Sequence, residues 1–233
     1  MKCLVFDTSA IISIATNNLL YILKPLKKKY GGDFCLPSAV RAEIIDRPLG
    51  SKKFKLEAIQ VLTEVLEGTL SLKDESDEEV KRIANLANSI FIAQGNYISI
   101  LHGGETAVIV LAKRTGAEAV IIDERTTRLM IESPMSVAKL LGKKMHTGIK
   151  VNRKNLNAFK DYTKGMIVLR SVELAIIAYD RGLLKRYTRP ESKNLTPLNP
   201  RRDVLDGLLW GLKLRGCSIS PEEIEEIMHL KGF

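Results

Sequence analysis

Apolar positions along the chain follow two rhythms. Short unbroken runs at Lys2–Phe6, Phe34–Leu36, Val120–Ile122 and Met166–Leu169 read as strands, with a further short candidate at Thr69–Leu72. Between them, apolar residues recur every three or four positions. Ile11, Ile14, Ala15, Leu19 and Ile22 predict a helix over Ala10–Leu23, closed by Pro25 and Lys27-Lys28-Lys29. Val40, Ile44 and Ile45 predict a second helix that opens at Pro37-Ser38 and stops at Pro48, and a third covers Lys53–Leu66. Ser76-Asp77-Glu78-Glu79 has capping-box spacing and introduces a helix through Val80, Ile83, Ala87 and Phe91 to Gly95. Gly103-Gly104 leads into a helix over Glu105–Arg114 that ends at Gly116.

Beyond Asp123 the pattern predicts a helix over Glu124–Leu141, interrupted near Ser133-Pro134, then a basic loop over Gly142–Lys154 and a helix over Leu156–Tyr162. The strand at Met166–Leu169 is followed by a helix over Ser171–Leu184. Lys185–Pro200 is rich in proline and polar residues and reads as a linker. Helices over Asp203–Arg215 and Pro221–Lys231 follow, the second with Ser220 and Glu223 at capping-box spacing and Pro221 at the first helical position. Strands alternating with helices, and apolar runs ending in acids, predict an α/β fold whose central, mainly parallel sheet is buried on both faces.

Composition narrows the partners. Of the 233 residues, 45% are hydrophobic, enough for a sizeable core, and a net charge of +9 favours a polyanionic partner. Cys3, Cys35 and Cys217 lack C-x-x-C spacing, so they read as reduced core residues; with His102, His146 and His229 equally scattered, a His/Cys zinc site has no support. No signal peptide precedes the first strand and no apolar run is long enough to span a bilayer, so a soluble cytoplasmic protein is expected.

The candidate chemistry is acidic. Asp7 and Asp123 each end an apolar strand, so both point at the carboxyl edge of the sheet, where open parallel sheets gather ligands. Glu43 and Glu105 lie on helices directly after turns, and Glu105 shares a helix face with Val108, Ile109 and Ala112. Converging carboxylates raise one another's pKa unless a divalent cation compensates them. A dehalogenase-like phosphatase would need a second Asp where Ser9 stands, and no phosphate-binding glycine loop is present.

Phe6-Asp7-Thr8-Ser9-Ala10, Pro37-Ser38-Ala39-Val40-Arg41-Ala42-Glu43, Gly104-Glu105 and Val120-Ile121-Ile122-Asp123 together resemble the four acidic motifs of the PIN domain, in order and spacing, over about residues 1–130. Gly104-Glu105 and Asp123-Glu124-Arg125 are most similar to a prokaryotic, often archaeal, branch. The resemblance implies a three-layer α/β/α sandwich over residues 1–184; about 130–164, an insertion, and 185–233, a linker with C-terminal helices, depart from it as lengths that a minimal PIN domain does not need. It implies an endoribonuclease that holds one or two Mg²⁺ or Mn²⁺ ions on Asp7, Glu43, Glu105 and Asp123, supported by Thr8 and Ser9, and leaves 5′-phosphate and 3′-hydroxyl ends. Arg125, Arg128, Lys143, Lys144, Arg153 and Lys154 are candidate RNA contacts. The family commonly has Thr or Ser two residues before the last acid; Ile121 stands there and offers no hydroxyl to orient it. Two alternatives stay open: a PIN-fold RNA-binding or partner-binding module without turnover, and a toxin paired with an antitoxin protein. A homodimer through the two C-terminal helices is also expected.

Overall fold

In the computed structural model, which describes residues 2–188 and 199–233, the chain opens with β1 (Cys3–Phe6), every residue of it buried. It enters α1 (Thr8–Thr16), turns at Asn18 with φ +55°, and continues through a 3₁₀ turn (Leu20–Ile22) into α2 (Leu23–Tyr30). The helix expected over Ala10–Leu23 is therefore two. Asn18 breaks it in the left-handed region that Asn tolerates better than most residues. Pro25, expected to end the unit, sits in the first turn of α2, where a missing N–H costs nothing.

β2 (Asp33–Pro37) leads into α3 (Ser38–Arg41), a π-helical turn (Ala42–Asp46) and α4 (Arg47–Leu49). The helix runs through Pro48 instead of stopping there. The π turn closes with Arg47 N–H donating to the Ala42 carbonyl, and Pro48 then occupies an early helical position that needs no donor. α5 (Lys55–Leu66), β3 (Ser71–Lys73) and α6 (Asp77–Ala87) follow, the last capped by Ser76, which accepts from the Glu79 N–H.

α6 ends at Ala87. Phe91–Ala93, expected to be helical, is the strand β4, which hairpins with β5 (Asn96–Tyr97). α7 (Gly103–Thr115) closes on left-handed Gly116 and β6 (Ala119–Ile121) follows. Next come α8 (Arg125–Glu132) and α9 (Pro134–Met145), broken at Ser133 as expected, then β7 (Lys150–Val151), α10 (Arg153–Thr163), β8 (Val168–Leu169) and α11 (Ser171–Asp180). β7 replaces part of the expected basic loop by pairing antiparallel with β4. The described part of the expected linker holds a 3₁₀ turn (Lys185–Tyr187); residues 189–198 lie outside the described residues. α12 (Pro200–Leu214) and α13 (Pro221–Leu230) complete the fold.

Five strands form a parallel sheet in the order β3-β2-β1-β6-β8, and β5-β4-β7 form a second, small antiparallel sheet. Burial on both faces explains why β1 and β6 are apolar without alternation. α7 packs across β1, β2 and β6, while α2 and α11 flank Leu4, Phe34 and Ala119. Phe6 and Phe34 meet with ring centroids 5.1 Å apart. The three cysteines are free and buried. Leu205, Leu209, Leu212, Ile219 and Ile224 belong to the same continuous core as β1, so the C-terminal helices share its packing. Among the described residues no helix is long and apolar enough to cross a membrane.

Candidate active site at the carboxyl edge of the sheet

Register decides what meets at the sheet edge. Phe6 pairs with Ile121, Ile121 with Leu169, and Pro37 continues β2 on the other side of β1. The residues just beyond these pairs are Asp7, Asp123, Ser171 and Ser38, and all leave the sheet at its carboxyl edge.

Asp7 caps α1. Its Oδ2 accepts from the Ser9 N–H at 3.0 Å and from the Ser9 hydroxyl, while its Oδ1 is buried with no hydrogen-bond partner among the described residues. The residue is 2% exposed. Burial pushes its carboxyl up to about 6 against the lowering effect of the Ser9 bonds, and the charge of Glu105 adds to the rise. Glu105, in the first turn of α7, accepts at 2.7 Å from the His102 N–H. Its pKa is raised as well, chiefly by burial and further by the charge of Glu43.

Glu43 is carried on the π turn, which rotates it out of ordinary helical phase. Thr8 donates its hydroxyl to Glu43 Oε2 at 2.6 Å. A Cβ at Gly104 would stand 2.8 Å from both Glu43 carboxylate oxygens, so the missing side chain there is what admits the acid. Asp7, Glu43 and Glu105 thus form an electrostatically linked group, tied together by Thr8 and by the start of α7.

Asp123, fully buried, faces differently. Its Oδ1 accepts from the Ser171 N–H at 2.7 Å and its Oδ2 from the Ser171 hydroxyl at 2.6 Å. It joins the other acids through its backbone: its N–H donates to the Ser9 hydroxyl at 3.0 Å, and that hydroxyl also donates to Asp7. The Asp123 carbonyl accepts from the Ser218 N–H at 3.1 Å. Among the described residues no three His, Cys, Asp or Glu side chains are grouped to hold a metal ion.

Ser171 and Ser218 escaped the sequence reading. The signal for Ser171 was present, because it follows a strand at the same sheet edge as Asp123. It supplies the hydroxyl that Ile121 lacks, while Ile121, wholly buried, accepts the Asp7 N–H through its carbonyl. Arg170 was missed too. It is 8% exposed and donates to Glu173, to Glu223 and to the Ser218 carbonyl, fastening the segment before α13 beside Asp123.

The basic candidates divide. Arg125 is exposed at the start of α8. Arg128 is turned toward Glu132, 3.9 Å away, a charge contact too long for a hydrogen bond. Lys143 and Lys144 are exposed in the last turn of α9, where cations complement the helix dipole, and Arg153 and Lys154 are exposed at the start of α10. None of these six forms a hydrogen bond or ion pair with the four acids among the described residues.

A family model described as a PIN domain matches residues 3–142, which spans all four acids. No curated protein and no solved structure matches the chain significantly. The parallel sheet with helices on both sides, the acids at its carboxyl edge and this match over more than half the sequence agree, and the chain belongs to the PIN-domain family, a family of nuclease-type fold.

Proposed function

We propose that the protein is a metal-dependent endoribonuclease acting at Asp7, Glu43 and Glu105, with Asp123 as the acid that fixes the site from behind. The observation that carries this reading is Asp7 Oδ1, a buried carboxylate oxygen without a partner among the described residues, with Glu105 near enough to raise its pKa and Glu43 near Glu105 in turn. An unpaired buried acceptor is costly, and a cation removes that cost. Hard carboxylate oxygens suit Mg²⁺ or Mn²⁺, so the donor chemistry at these three residues fits such an ion. When bound, the ion would supply the charge that activates water and stabilises the leaving oxygen of a phosphodiester. The chain's own residues do the positioning. Thr8 orients Glu43, Ser9 orients Asp7 and links it to Asp123, and Ser171 holds the Asp123 carboxylate.

The direct test is cleavage of a panel of structured and single-stranded RNAs with Mn²⁺ or Mg²⁺, comparing wild type with Asp7→Asn and Asp123→Asn. Metal-dependent cutting by wild type alone supports the reading; equal cutting by all three proteins assigns the activity to a contaminant. Gly104→Ala supplies a geometric test. The added Cβ forces Glu43 aside, so cleavage should fall about a hundredfold, with thermal stability little changed. Unchanged cleavage would remove Glu43 from the mechanism.

A second reading, an RNA-binding or partner-binding module without turnover, is favoured by the engagement of the Asp123 carboxylate with Ser171 and by the lack of a grouped metal-ligand set among the described residues. RNA affinity that survives Asp7→Asn, with no response to Mn²⁺, would select it. A toxin role would be marked by a small antitoxin gene immediately upstream. A homodimer would use the exposed apolar residues Trp210, Leu214 and Leu230 of α12 and α13, and sedimentation of Leu214→Glu against wild type tests it.

A further inference from the structure

We infer that Phe54, with the lysine-rich segment around it, forms a stacking subsite for an unpaired base of the polynucleotide bound at the carboxylates; this rests on the nuclease reading above. Phe54 immediately precedes α5 and has φ +61°, the left-handed region that aromatic residues rarely adopt. It provides no side-chain cap for α5, and the residue is 43% exposed, so neither capping nor full burial explains a phenylalanine there. A residue that breaks local rules without a folding benefit points to function.

Position supplies the ligand. Phe54 lines a notch of about 70 Å³ together with Ile11, Ile44, Val61, Glu57 and Glu43, so it shares the notch with one of the proposed metal-site acids. The notch is small and the residue partly exposed, so a base would lie flat on the ring. Lys53 holds its ammonium 4.9 Å from the ring centroid. Residues 47–56 contain Arg47, Lys52, Lys53 and Lys55, all exposed, between the acids Asp46 and Glu57, so cations outnumber acids around the ring. An exposed aromatic set among cations is how single-stranded nucleic acid is held, the ring taking a base and the cations the backbone. Leu56 and Ile59 on the neighbouring turn of α5 are also exposed, which could suit a protein partner, but lysine is depleted in protein interfaces. The charge favours a polyanion.

The test uses the full chain in EDTA, so that no turnover is needed, and a short single-stranded RNA with one 2-aminopurine. Wild type should bind it and quench the 2-aminopurine. Phe54→Ala and Phe54→Gly should each weaken binding about tenfold and abolish the quench, while Phe54→Tyr keeps both. Gly suits the left-handed backbone and Ala does not, so agreement between them assigns the loss to the ring. With an abasic site at the probe position, wild type and Phe54→Ala should bind equally. With Mn²⁺ present, the loss should fall on KM and spare kcat. Wild-type binding and quenching in EDTA, with no cleavage once Mn²⁺ or Mg²⁺ is added, would defeat the nuclease reading and leave the subsite standing. Equal affinity and quench in wild type and Phe54→Ala would overturn the subsite. So would a change in sedimentation of Phe54→Ala without a change in RNA binding, which would give the ring to a contact between copies.

Discussion

Asp7→Asn is expected to lower kcat/KM for Mn²⁺-dependent RNA cleavage by at least roughly a thousandfold while leaving the fold as stable as wild type or more so. The two effects come from the same burial. Asn can keep the bonds from Ser9 through its Oδ1, and its amide can face Glu105 from the place where Asp7 has an unpartnered oxygen. The ionised Asp7 is the costly form. Its carboxyl is raised from 3.8 to about 6, so between these values the folded chain keeps a proton that the unfolded chain has released. Stability contributed by Asp7 is therefore complete below about pH 4, declines as pH rises to about 6, and remains lower by roughly 3 kcal/mol at neutral pH. In metal-free buffer, thermal unfolding from pH 4 to pH 7 should show this decline in wild type relative to Asp7→Asn. Mn²⁺ should then raise the wild-type Tm at pH 7 and leave that of Asp7→Asn unmoved. A variant that still cuts, or an equal Mn²⁺ shift in both proteins, would remove Asp7 from the centre of the site.

Arg170→Met should produce the largest loss of stability. The guanidinium is almost wholly buried and donates to two carboxylates and a backbone carbonyl on both sides of the junction between α11 and α13. Its removal takes the ion pair from Glu173, which keeps the residue-170 N–H, and strands the Ser218 carbonyl, together a loss of about 3 kcal/mol. For a chain of this size that corresponds to a fall in Tm of roughly 10 °C. Glu223→Gln should cost only on the order of 1 kcal/mol, because Glu223 is more exposed and Gln can still accept a bond. Circular dichroism melts at one pH measure both, and a Tm for Arg170→Met within about 2 °C of wild type would mean that the clasp contributes nothing.

Much of this was legible in the residues, for a physical reason. A strand buried on both faces must be apolar throughout, so Cys3–Phe6 and Val120–Ile122 announced themselves, and the acids that follow them were placed by chain direction alone. What escaped depended on distant partners. Phe91 continues the helical spacing of Val80, Ile83 and Ala87, and only pairing with Val151, sixty residues away in sequence, makes it a strand. The break at Asn18 depends on a backbone conformation that several residue types can take. The π turn at Glu43 cannot be read from spacing, because its phase shift spans a single turn. Most consequentially, the direction of the Asp123 side chain is set by Ser171, which enters the site from a different strand and helix.

The fastening of Asp123 also bears on how the protein is made. Asp7, Glu43, Glu105 and Asp123 all leave the ribosome before Ser171, and Ser171 before Ser218, yet it is the two serines that hold Asp123 by its carboxylate and its carbonyl. A growing chain therefore displays its acids before it can lock them, and these late, long-range contacts are of the kind that form last in folding. The centre is finished by synthesis of the segment behind it, so a translation product interrupted before Ser218 would carry all four acids with Asp123 only partly fastened.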